Sequence, residues 1–93
     1  MWMIIELSRL LSAHGLTRFE GLMDLSGTPT TISCYQHHGG KGNYVEIDFL
    51  NNRLMINFHD TLNSVISINQ KFSDLELLRD YLKEFLEKQP VSD

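Results

Sequence analysis

One cysteine, Cys34, leaves nothing for an intrachain disulfide to join, so packing and hydrogen bonds must hold the fold. A lone thiol suits a reducing compartment, and a cytoplasmic location is the expectation. Proline is nearly as scarce, at Pro29 and Pro90 alone, which excludes a proline-rich linker or polyproline ligand. No apolar run approaches the roughly 20 residues that a membrane-spanning helix needs. Met1 to Ile5 is apolar, but no positive charge precedes it and Glu6 and Arg9 interrupt it, so neither a signal peptide nor a membrane span is expected. Basic charge is short as well. Eight Lys and Arg against twelve Asp and Glu give a net charge of −4, which disfavours nucleic acid or an anionic membrane as the principal partner and favours a basic protein.

Catalytic and ligand-binding signatures are also missing. The histidines His14, His37, His38 and His59 match no zinc-ligand spacing and no H-E-x-x-H pattern. The glycine-rich run Gly39, Gly40, Lys41, Gly42 lacks the spacing, the following Ser or Thr and the helix of a phosphate-binding loop, so it reads as a connection between strands. No cofactor is expected. No internal repeat or low-complexity run is visible.

What is present is a chain of 93 residues, 42% hydrophobic, which suffices for one core and one domain. Residues 1–89 read as a single α+β domain and 90–93 as a frayed tail. The organising stretch is Tyr44 to Gln70. Val45, Ile47 and Phe49 alternate with Glu46 and Asp48, which places the two sets on opposite faces of a strand. Asn51 and Asn52 tolerate the left-handed conformation of a two-residue hairpin turn, and that turn pairs Phe49 with Leu54, Ile47 with Ile56 and Val45 with Phe58. A three-residue loop of Thr61, Leu62 and Asn63 then pairs Phe58 with Ile66 and Ile56 with Ile68.

On the N-terminal side, Ile4, Leu7, Leu10 and Leu11 recur at helical spacing, predicting a helix from Trp2 to Ala13 that His14 and Gly15 terminate. Thr17 to Ser26 carries two patterns. Thr17 and Glu20 form a capping box, yet Phe19, Gly21, Met23 and Leu25 alternate with charged or polar residues; Gly21 weakens a short helix, and a strand is favoured. After a turn at Gly27 to Pro29, the strand Thr30 to His37 points Ile32 and Cys34 inward and pairs them with Phe49 and Ile47. Toward the C-terminus, Ser73 reads as the N-cap of a helix, with Glu76 three residues on, Phe72 as staple and Leu75, Leu78, Leu82 and Phe85 along one stripe. The expected fold is a five-stranded antiparallel meander with both helices packed on one face and the other face open.

That open face carries the functional expectation. The register brings together Tyr35, His37, Tyr44, Glu46, Asp48, Asn57 and His59 as a partner-binding surface, with tyrosines as rigid anchors and carboxylates facing lysine or arginine. A small acidic protein-binding module without catalysis of its own is the leading reading, and a toxin-neutralising or chaperone-like role fits that size and charge. A small metal-dependent hydrolase is the alternative, using His37, His59, Glu46 and Asp48, with His38 a further candidate ligand for a metal. It is weakened because His37 and His59 fall two strands apart, nearly 10 Å at about 4.8 Å per strand. A Cys–His nucleophile pair is disfavoured because Cys34 points into the core. A homo-oligomer through the uncharged edge strand at 64–69 is the third reading.

Overall fold

The computed structural model describes residues 2–36, 42–59 and 65–88. Helix α1 (Trp2–Ala13) is followed by strands β1 (Arg18–Met23), β2 (Pro29–Tyr35), β3 (Tyr44–Asp48), β4 (Arg53–His59) and β5 (Val65–Lys71), then helix α2 (Leu75–Glu87). The strands form one antiparallel sheet in the order β1-β2-β3-β4-β5, so each strand pairs with its neighbour in sequence. Within the segment from Thr17 to Ser26, Arg18–Met23 is thus a strand, and no helix forms there. His37, His38, the loop at 61–63 and the tail at 90–93 lie outside the described residues.

One face of the sheet is apolar by alternation, and both helices lie against it. Leu7 and Leu11 from α1, Leu78, Leu82 and Leu86 from α2, and Cys34, Val45, Ile47, Leu54, Ile56 and Phe58 from the sheet form a single buried cluster with Leu16. Each leucine, isoleucine, valine or phenylalanine among them contributes roughly 1.5–3 kcal/mol through burial. Phe58 meets Phe85 edge-on with ring centroids 5.4 Å apart, which seats α2 over β4. An ion pair from Arg79 to Glu6 at 3.5 Å links the helices, but it is solvated and adds little.

The end of α1 follows from Gly15. Its φ of 84 is the left-handed conformation of a C′ residue. The Leu16 N–H donates to the Leu11 carbonyl at 3.0 Å and the Gly15 N–H to the Ser12 carbonyl at 3.1 Å, closing the paired bonds of a Schellman motif. The chain then turns so that Leu16 enters the core fully buried. At α2 the cap sits one residue later than the sequence pattern indicates. Asp74, not Ser73, accepts from the Leu77 N–H, and Phe72 packs against Tyr81 at 5.2 Å.

Two strand registers differ from the expected ones by two residues. Between β3 and β4 the pairs are Val45–Ile56, Ile47–Leu54 and Asp48–Arg53, which leaves residues 49–52 as the turn. The Asp48 carboxylate is the cause: it accepts from the N–H groups of Leu50 at 3.0 Å and Asn51 at 3.2 Å, and from the Asn51 amide at 2.9 Å. Among non-glycine residues described, only Asn52 takes a positive φ, at 50, whereas the two-residue turn would require it at Asn51 too. Between β2 and β3 the pairs are Ile32–Ile47 and Cys34–Val45. A shift of two residues keeps every side chain on its face, so the division into apolar and polar faces survives. The β4–β5 register, with Ile56 opposite Ile68 and Phe58 opposite Ile66, is as expected.

Strand β1 is the exception to coverage. Every residue from Arg18 to Met23 is exposed, including Phe19 and Met23 on the helix-bearing side. The helices stop short of this edge.

Candidate functional site

The polar face can be read row by row from the pairing. One row runs Arg18, Tyr35, Tyr44, Asn57, Ser67; the next Glu20, Ser33, Glu46, Met55, Asn69; the third Leu22, Thr31, Asp48, Arg53, Lys71. Tyr35, Tyr44, Glu46, Asp48 and Asn57 therefore share the face that alternation assigns to them. His59 joins them at its far end, opposite Val65, and His37 lies outside the described residues.

Their neighbours are not those of the expected register. Tyr35 stands beside Tyr44 rather than Glu46, with ring centroids 6.0 Å apart and planes tilted by 45°. Such a pair holds both rings in place and presents their faces at low entropic cost. Glu46 lies between Ser33 and Met55, and the Ser33 hydroxyl donates to its Oε1 at 3.0 Å. That bond orients the carboxylate without neutralising it. Asn57 accepts from the Ser67 hydroxyl at 3.1 Å, and Asn69 accepts from Arg53 at 2.9 Å.

Asp48 does different work from that expected of it. The Asn51 amide above all, helped by the N–H groups of Asn51 and Leu50 and by the Arg53 charge, holds its carboxyl below its ordinary value, although burial pushes the other way. Its oxygens are committed to the turn. His59 is likewise tied, since its backbone N–H donates to Asn43 Oδ1 at 2.8 Å and its ring Nδ1 lies 3.4 Å from the same oxygen.

A shallow depression of about 260 Å³ opens on this face where β1, β2 and β3 meet, lined by Glu20, Leu22, Thr31, Ser33, Tyr35 and Glu46. It has a carboxylate on either side, a hydroxyl in the floor and a tyrosine at the rim. Glu20 is the member that strand-by-strand reasoning missed. The strand itself was favoured from its alternation, but the length of the turn at Gly27 to Pro29 left the β1–β2 register open, so Glu20 was not placed beside Ser33 and Glu46. Charge on the face is also more mixed than expected. Arg18 closes one corner, and Arg53 with Lys71 closes the opposite one.

Among the described residues no group of three or more His, Cys, Asp or Glu side chains is placed to hold a metal ion. Cys34 is fully buried, donates through Sγ to the Leu16 carbonyl at 2.9 Å, and burial pushes its thiol up to about 12. A thiol so placed is no nucleophile at neutral pH. No helix among the described residues is long and apolar enough to cross a membrane. No protein-family model, curated protein or solved structure matches the chain.

Proposed function

We propose that the chain is a small cytoplasmic binding module, without catalysis of its own, that docks a basic segment of a partner protein on the polar face of its sheet. The observation that supports this most is the depression between Glu20 and Glu46, with the Tyr35–Tyr44 pair at its border. A lysine or arginine entering it meets two carboxylates, and its aliphatic stem lies along the Tyr35 ring, which combines charge complementarity with apolar packing. Arg18, Arg53 and Lys71 at the corners of the face repel a second cation, so the partner's positive charge must be local. A toxin-neutralising or chaperone-like role is the biological setting that fits, by size and charge.

The test is affinity capture on the purified chain, identification of the bound protein, and titration of that protein against wild type and a Tyr44→Ala, Glu46→Lys double variant. Affinity falls at least about tenfold, equivalent to roughly 1.4 kcal/mol, in the variant. Unchanged affinity in a folded double variant sinks the assignment of this face.

A further inference from the structure

We propose that two copies of the chain pair along β1, antiparallel and about a two-fold axis at Gly21, to join their sheets into one of ten strands. This does not depend on the partner reading above. The backbone bonds settle which groups face the free edge. Gln36 donates to the Asn43 carbonyl and Phe49 to the Thr30 carbonyl, so even-numbered positions of β2 bond to β3 and odd-numbered ones to β1. With Arg18 opposite Tyr35, Glu20 opposite Ser33 and Leu22 opposite Thr31, the even positions of β1 face β2. Beyond Leu22 the pairing shifts by one residue on the β2 side, but the Asp24 N–H still donates to the Thr28 carbonyl, so Asp24 faces β2 as the other even positions of β1 do. The N–H and C=O groups of Phe19, Gly21 and Met23 therefore point to open solvent, which is an unprotected template for strand pairing.

Side chains then select the register. A two-fold normal to the sheet keeps faces matched, and hydrogen bonding requires odd positions to meet odd ones. With Gly21 opposite its own copy, Phe19 faces the second copy's Met23 and Arg18 faces the second copy's Asp24, each twice by symmetry. Phe19 and Met23 are 41% and 68% exposed in the single chain, and they lie on the side that the helices leave bare. Paired, they form one apolar strip of aromatic and thioether groups. Neighbouring registers fail on charge: centring on Glu20 opposes it to itself, and centring on Leu22 opposes Glu20 to Asp24. The β5 edge offers less. Its outward-facing row is Val65, Ser67, Asn69 and Lys71, and its apolar residues Ile66 and Ile68 are already partly buried against the chain's own core.

Sedimentation of the whole chain over roughly 10 µM to 1 mM, the range in which so short an interface is populated, tests the pairing. The mass rises toward that of two chains and stops there. Gly21→Pro weakens association at least tenfold, because the N–H it removes faces the edge and not β2, and a Cβ at this position meets only the Thr31 carbonyl oxygen at 3.8 Å. Met23→Lys does the same by placing a charge in the strip, and at an exposed site it leaves folding intact, so it carries the test where Gly21→Pro fails to fold. Ser67→Pro, on the opposite edge, changes nothing. A chain that stays monomeric throughout, growth beyond two copies, or dissociation by Ser67→Pro with Gly21→Pro and Met23→Lys still associated would each overturn the proposal.

Discussion

Asp48 shows how far alternation reaches at the scale of a single residue. Its place between Ile47 and Phe49 puts it on the polar face, and there it lies, but period-two reasoning is silent on where a short carboxylate turns next. The nearby N–H groups of Leu50 and Asn51 capture it, and the strand ends there. An Asp three residues ahead of an Asn is a turn signal as well as a surface charge, and here the turn wins. Asp48→Ala is expected to cost about 1 kcal/mol at neutral pH, since bonds of this kind are solvent-competed. Because the folded carboxyl titrates below its ordinary value of 3.8, its contribution is fully present above that value and is lost as pH falls through the lower folded one. Denaturant melts of wild type and variant from neutral to acid pH should therefore differ by a constant amount down to about pH 4 and converge below it. A gap that widens in acid contradicts the role given to this side chain.

At the scale of elements, what was legible was whatever rests on periodicity, and what was not rests on counting loop residues. Helix α1, helix α2 and all five strands fall where apolar spacing indicates. The β2–β3 and β3–β4 registers do not, because an apolar face looks the same after a two-residue slip; only the turn decides, and Asn51 with Asn52 permits more than one turn. The Tyr35–Tyr44 pair was hidden because it rests on the β2–β3 register, where the same two-residue slip leaves the apolar face unchanged, though both residues were visible as members of the face. Chain reversal after α1 is the opposite case, since Gly15 announces it outright. A Cβ at a φ of 84 is strained, so Gly15→Ala should lower stability by about 1 kcal/mol and shorten α1 at its C-terminal end. Thermal melting checks the first and amide exchange at Gly15 and Leu16 the second. An unchanged melting temperature would mean that the Schellman bonds tolerate the substitution.

For the whole molecule, the sheet is held from one side only, and the two helices that hold it come from opposite ends of the described chain. Leu82 is fully buried in the cluster that joins α2 to the sheet. Leu82→Ala removes its packing and leaves a cavity, at a cost of about 2–5 kcal/mol. That is a large share of the 5–10 kcal/mol, to order of magnitude, that stabilises a domain of this size. Urea denaturation should show the midpoint falling by that amount while Leu77→Ala, at a half-exposed site on the same helix, shifts it by much less. The meander order has one more consequence, in time rather than energy. Every strand pairs with the one just before it in the chain, so each step of sheet assembly closes a short loop and loses little chain entropy. Contacts between α1 and α2 are the ones most distant in sequence. Folding should therefore run by successive hairpins on the fast side of β-rich domains, with the two helices meeting late and parting early.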